Sequence, residues 1–100
     1  MSKTQKLTLV WSPAARRDLI RLREFIQPHN PRAAQRVAAA IRKAARLISE
    51  NPAIGGKLEG RQDRELFTPF GQRGYVLRYQ IIDPKIVILK IWHTLEDREK

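Results

Sequence analysis

From Lys6 to Trp11, the residues Leu7, Leu9 and Trp11 fall on alternate positions, the period-two pattern of a short strand with one buried face. Ser12-Pro13 then changes the rhythm. A serine can accept a hydrogen bond from an amide of a first helical turn, and proline at the first helical position removes an amide that has no partner there. Ala15, Leu19, Leu22 and Ile26 follow at helical spacing and define an apolar stripe. Pro28-His29-Asn30-Pro31 breaks this helix, and Asn30-Pro31 starts the next by the same device. In the second, longer helix, Val37, Ile41, Ala44 or Ala45, and Ile48 make the apolar face, and the alanines favour helix and permit close packing. Asn51-Pro52 ends it and Gly55-Gly56 marks a loop. The two helices form an αα-hairpin joined by a tight turn.

The remainder is β-patterned. Arg64 to Thr68 reads as a short strand, and Tyr75 to Ile82 and Ile86 to His93 flank an Asp83-Pro84-Lys85 turn. The order is β-α-α-β-β-β, an α+β domain with a helical hairpin packed on one face of a small sheet. Alternation places Tyr75, Leu77, Tyr79 and Ile81 against the helices and Val76, Arg78, Gln80 and Ile82 on the uncovered face. No repeat or linker divides the 100 residues, which suffice for a single domain with one core.

The composition, 42% hydrophobic with 5 Gly and 6 Pro, is that of a globular chain. The absence of cysteine excludes a disulfide framework and any thiolate metal site, and agrees with a reducing cytoplasm. The amino terminus has charges but no apolar core of an export signal, and no apolar run reaches membrane-spanning length. A soluble, cytoplasmic protein without a membrane partner is expected. The formal net charge of +10 matters most. So large a charge on so small a domain points to an acidic partner, whether nucleic acid, the ribosome or an acidic protein segment. The alternative is a solvated basic face that only keeps the protein soluble.

Familiar catalytic chemistry finds little support. His29 and His93 are the only histidines, and neither stands at helical spacing to a second ligand, so neither a metal nor another cofactor is expected. Gly55-Gly56 is not followed by a phosphate-loop Lys-Ser/Thr, and Ser12 and Ser49 are better explained by caps and surface than by nucleophilic attack. Arg32, Arg36, Arg42, Lys43 and Arg46 lie opposite the apolar stripe of the second helix, where a solvated face is the plain reading and nucleic-acid contact the sharper one. Arg16, Arg17, Arg21 and Arg23 on the first helix read the same way. A second basic group, Lys57, Arg61, Arg64, Arg73, Arg78, His93 and Arg98, belongs to the sheet. Arg78 in mid-strand on an open face suits either a groove for an anion or acidic peptide, or a cross-strand ion pair. His93 at a strand end can act as acid or base near neutral pH, or serve as a hydrogen-bonded structural residue.

Several segments carry a resemblance to a known family. They are Trp11-Ser12-Pro13-Ala14-Ala15 with Asp18-Leu19, Asn30-Pro31-Arg32-Ala33-Ala34, Asn51-Pro52-Ala53-Ile54-Gly55 and Arg64-Glu65-Leu66. Tyr75-Val76-Leu77-Arg78-Tyr79 and Ile91-Trp92-His93 with Glu96-Asp97-Arg98 complete the set. In their order and spacing, from Leu9 to Arg98, the chain resembles the ParE/RelE superfamily of toxins from bacterial type II toxin–antitoxin modules. The resemblance implies a helical hairpin against a small twisted antiparallel sheet, toxicity when free, and neutralisation by a cognate antitoxin whose acidic, partly disordered tail wraps the toxin.

The family divides by target. RelE-like members are ribosome-dependent, metal-independent endoribonucleases that cut mRNA; activating a ribose hydroxyl needs a base, an acid for the leaving oxygen and cations for the phosphate. That branch typically has an arginine directly after the tyrosine opening the third strand, where this chain has Val76. It also often has basic residues along the second strand, here Glu65, Leu66 and Phe67, and a late His-Tyr pair, here His93-Thr94. Arg64, Arg78, His93 and Glu96 would be the catalytic candidates of a rearranged site. ParE-like members inhibit DNA gyrase without assigned catalytic residues, and the departures favour that branch. Arg61, Arg64, Arg78, Trp92, His93 and Arg98 are the candidates for antitoxin or target binding, in a groove between the open sheet face and the first helix. A harmless basic nucleic-acid-binding module is the third reading.

Overall fold

The computed structural model describes residues 7–96, so Lys6 and Arg98 lie outside the described residues. Strand β1 (Thr8–Trp11) leads into helix α1 (Pro13–Ile26) and helix α2 (Pro31–Glu50). A single 3-10 turn (Pro52–Ile54) and four further strands follow: β2 (Gly56–Lys57), β3 (Arg64–Phe70), β4 (Arg73–Ile82) and β5 (Lys85–His93). Both caps form as the sequence predicts. The Ser12 hydroxyl accepts from the Ala15 amide and the Asn30 side chain from the Ala33 amide, each at 3.0 Å. Each such cap stabilises a helix by about 1 kcal/mol.

The strands form one sheet in the order β1-β5-β4-β3-β2. Three neighbouring pairs are antiparallel, but β1 lies parallel to β5, with Thr8 opposite Lys85 and Trp11 opposite Ile88. The sheet is therefore mixed where the resemblance implied an antiparallel one. The reason is the connection: the helical hairpin and three strands intervene, long enough to carry the chain back in the same direction. The two-residue β2 is an addition to the expected order; with no apolar alternation, Gly56-Lys57 reads only as loop.

The hairpin covers one face. Ala15 and Leu22 of α1 meet Val37, Ile41, Ala44, Ala45 and Ile48 of α2 over Tyr75, Leu77, Tyr79, Ile86, Ile88 and Ile91 of the sheet. Leu19 and Ile26 are half-buried at the margin of this core. Ile81, expected beneath the helices, keeps 38% of its surface. Ile82 is exposed as well, so the end of β4 outruns its helical cover.

A bulge explains how β5 buries three isoleucines that do not share one alternation. Arg78 pairs with Lys90 but Tyr79 with Ile88, leaving Leu89 as an extra residue, which brings Ile91 to the same side as Ile86 and Ile88. Ser12 holds this point. Its amide donates to the Ile88 carbonyl at 3.0 Å and its hydroxyl to the Leu89 carbonyl at 3.2 Å.

Candidate functional site

At one end of the sheet, β5 continues past β1 and its backbone finds partners on α1 instead. The Asp18 carboxylate accepts from the Ile91 amide at 2.9 Å, and the Arg21 guanidinium donates to the Ile91 carbonyl at 3.3 Å. Arg21 also pairs with Asp18 at 3.3 Å and with Glu96. Glu96 closes the turn after β5 by accepting from the His93 amide at 2.8 Å, and His93 Nδ1 accepts from the Leu95 amide at 3.1 Å. The imidazole meets the Tyr75 ring edge-on, with centroids 5.1 Å apart. Burial, and secondarily the Glu96 charge, push the Tyr75 hydroxyl above its ordinary pKa of 10.0.

The open face carries a different set. Arg78 reaches across to Glu65 on β3, with Nη2 and Nε at 2.7 and 2.9 Å from the same carboxylate oxygen. The guanidinium carbon also stands 5.1 Å from the centroid of the Trp92 ring, a cation–π contact. Of the two readings of Arg78, the cross-strand ion pair is the one formed. Trp92 is buried, whereas Phe67, in the next open-face row of β3, is 53% exposed.

Arg64 lies on the other side of the sheet. It is paired in register with Tyr79, whose side chain is fully buried on the helix-facing side. Its guanidinium donates to the Gly55 carbonyl at 2.8 Å and, more weakly, to that of Ala53 at 3.4 Å. The Tyr79 hydroxyl donates to the Pro52 carbonyl at 2.6 Å and accepts from the Gly55 amide at 2.8 Å. The two side chains clamp the loop after α2. Gly55 permits the approach, since a Cβ there would stand 2.7 Å from the tyrosine oxygen. Burial raises the Tyr79 hydroxyl above its ordinary 10.0, against the opposing pull of the Gly55 amide and the Arg64 charge.

The catalytic candidates therefore occupy three places. Arg64 is on the covered side, Arg78 on the open side, and His93 with Glu96 at the far end of the sheet. Tyr75 and Tyr79, which mark His93 and Arg64 in the register, are four residues apart on β4, about 13 Å at strand rise. The expected groove uniting Arg64 and Arg78 does not form, because residues of adjacent parity on paired strands project to opposite faces. Arg61 pairs with the buried Asp63 in the β2–β3 loop. Among the described residues, no three acidic, histidine or cysteine side chains stand where they could hold a metal ion, and no helix is long and apolar enough to cross a membrane.

The sequence pattern missed an apolar groove. Between α1 and α2 runs a groove of about 470 Å³ with a floor of Leu19, Ile20, Val37, Ala38 and Ile41. Arg16, Arg23 and Arg42 stand around it. The signal was Ile20 beside Leu19, an apolar residue displaced from the buried stripe, which remains 48% exposed.

The fold, a helical hairpin on a mixed five-stranded sheet, is one that solved structures share. The model of the family described as ParE toxin of type II toxin-antitoxin system, parDE, matches residues 9–98, and the chain belongs to that family. It is 36% identical over 91 residues to Toxin RelE1 of Caulobacter vibrioides, covering 91% of this chain and 97% of the relative. It is 37% identical over 86 residues to Toxin RelE3 of the same organism, covering 86% and 92%. Among solved structures it resembles the chromosomal ParDE TA system from P. aeruginosa, with a TM-score of 0.75 at 18% identity over 90% of this chain and 98% of that one. It also resembles the toxin-antitoxin complex RelBE2 from Mycobacterium tuberculosis, with a TM-score of 0.60 at 27% identity over 94% and 98%.

Proposed function

We propose that this chain acts as the toxin of a type II toxin–antitoxin pair by binding and inhibiting DNA gyrase, without cleaving RNA itself. One observation carries the reading. Arg64 and Arg78 are separated from each other and from the His93–Glu96 pair, and three of these side chains already serve the fold: Arg64 on a loop, Arg78 on Glu65, and Glu96 on Arg21 and the His93 amide. A nuclease site would need base, acid and phosphate-binding cation within hydrogen-bond reach of one substrate. An inhibitor needs only a complementary surface.

The cognate antitoxin supplies an acidic amphipathic segment that lies in the groove between α1 and α2. Its apolar side covers Leu19, Ile20 and Ala38, and its carboxylates meet Arg16, Arg23 and Arg42, for which no ion pair forms among the described residues. Arginine suits this role because its planar fork can take a carboxylate through two hydrogen bonds.

The test is a supercoiling assay with purified gyrase and relaxed plasmid. Inhibition by the free toxin, reversed by antitoxin, is the expected result. A second reading, the ribosome-dependent nuclease, is favoured by the RelE names of the Caulobacter relatives and by the adjacency of His93, Glu96 and Arg21. Unimpaired supercoiling, together with mRNA cut only when ribosomes are present, would replace the first reading with the second.

A further inference from the structure

The outer face of α2 carries a line of cations that neither the fold nor the groove explains. Arg32, Arg36, Lys43 and Arg46 fall within a narrow arc opposite the buried Ile41, and all four are exposed. From Arg32 to Arg46 the line runs about 21 Å along the helix axis. Glu50 is the one acidic residue of this 20-residue helix. Of the acidic side chains in the described residues, Asp18, Asp63, Glu65 and Glu96 are paired with Arg21, Arg61 and Arg78, away from α2. None of the four α2 cations has an ion pair or side-chain hydrogen bond among the described residues.

This arrangement works against helix stability. The first turn of α2 has no acidic residue, and Arg32 sits near the positive end of the helix dipole, where a cation is disfavoured. Arg32 and Arg36 are four residues apart, a spacing at which like charges repel. A line of charge that costs the helix a few tenths of a kcal/mol per pair is better explained by an external polyanion than by folding.

We infer that this face of α2 is a docking strip for the phosphate backbone of duplex DNA. The strip has cations at both ends and the small Ala39 between Arg36 and Lys43, so the helix surface is slim and can approach closely. A B-form major groove about 12 Å wide admits a helix of this kind, with the flanking cations on the phosphates, whereas the A-form groove of duplex RNA is too narrow. The face bears no aromatic residue and no Asn or other amide between Arg36 and Arg46 to read a base edge, so binding is independent of sequence. Leu47, 40% exposed beside Lys43 and Arg46, is the one large apolar side chain at the edge of the strip, and a poly-glutamate comparison separates an acidic protein from DNA. The inference does not depend on gyrase being the target.

The experiment measures the affinity of the antitoxin-free toxin for a fluorescein-labelled 20-base-pair DNA duplex across a salt series. The stripe variant Arg32→Gln/Arg36→Gln/Lys43→Gln/Arg46→Gln is compared with an equal-charge control, Arg17→Gln/Lys57→Gln/Arg73→Gln/Lys85→Gln, whose four sites are exposed. With roughly 0.9 unit of log–log salt slope lost per phosphate contact, the stripe variant should lose about 3 to 4 units and at least tenfold in affinity at 0.1 M salt. The control should keep most of both. Circular dichroism checks that the variants fold, and Arg36→Gln/Lys43→Gln carries the comparison if the quadruple variant does not. Equal losses in stripe and control would reduce the strip to net charge and overturn the inference. So would an unchanged slope, tighter binding to duplex RNA, or a stripe that governs binding of poly-glutamate but not of DNA.

Discussion

Arg78 and Glu65 face each other across β3 and β4 on the open side of the sheet, with two guanidinium nitrogens within 2.9 Å of one carboxylate oxygen. The pair is mostly sheltered, and the Trp92 ring lies against the guanidinium. Arg78→Glu should therefore act first on stability, by placing two carboxylates together, at a cost of about 2 to 3 kcal/mol. The exchange Glu65→Arg/Arg78→Glu should recover most of that loss in a denaturant titration, with antitoxin affinity close to wild type. Recovered stability with lost antitoxin binding would show instead that the partner reads Arg78 directly.

Tyr79 ties the sheet to the loop after α2, and Tyr79→Phe should cost about 2 kcal/mol at neutral pH, because the Pro52 carbonyl and Gly55 amide lose their shared partner. Burial first of all raises Tyr79 and Tyr75 above 10.0 in the folded protein. The native state thus holds these protons more tightly than the unfolded chain. Their contribution is complete below pH 10.0 and is lost as pH rises through the native values. Urea midpoints measured from pH 8 upward should fall above about pH 10, and fall less in Tyr79→Phe.

Ser12 has two duties that one substitution can separate. Ser12→Ala should lose about 2 kcal/mol, since the α1 cap and the donor to the Leu89 carbonyl both disappear. Aspartate caps helices as well as serine does but has no hydroxyl proton to donate. Equal melting temperatures for Ser12→Asp and wild type would show that the bulge needs no donor; a value between wild type and Ser12→Ala is expected.

Ala38 lines the floor of the α1–α2 groove and is half-buried, so a larger residue there can fill the groove with little effect on the core. Ala38→Glu should weaken antitoxin binding at least tenfold through bulk and like charge, and leave the melting temperature nearly unchanged. Calorimetric titration of the variant with antitoxin checks this. Undiminished affinity would place the antitoxin elsewhere.

Both helices and the β4–β5 hairpin were legible because their signals are local. Caps, prolines and the spacing of Val37, Ile41 and Ile48 need no knowledge of distant residues. The parallel pairing of β1 with β5 was not legible, because it depends on where an intervening helical hairpin returns the chain. The side-chain network was hidden for the same reason. Asp18 and Arg21 read as an ordinary helix surface until Ile91 is placed beside them. Arg64 and Arg78 look alike as strand arginines, and only the register, with Tyr79 opposite one and Glu65 opposite the other, puts them on different faces. Alternation fixes which residues of one strand share a face, but not which residues of the next strand stand beside them.

The most direct test of the gyrase reading is to induce the chain in bacteria lacking the antitoxin and follow thymidine and methionine incorporation over the first minutes. Early loss of DNA synthesis while translation continues is the predicted result. Early collapse of translation with DNA synthesis still running would contradict it and assign the toxicity to mRNA cleavage.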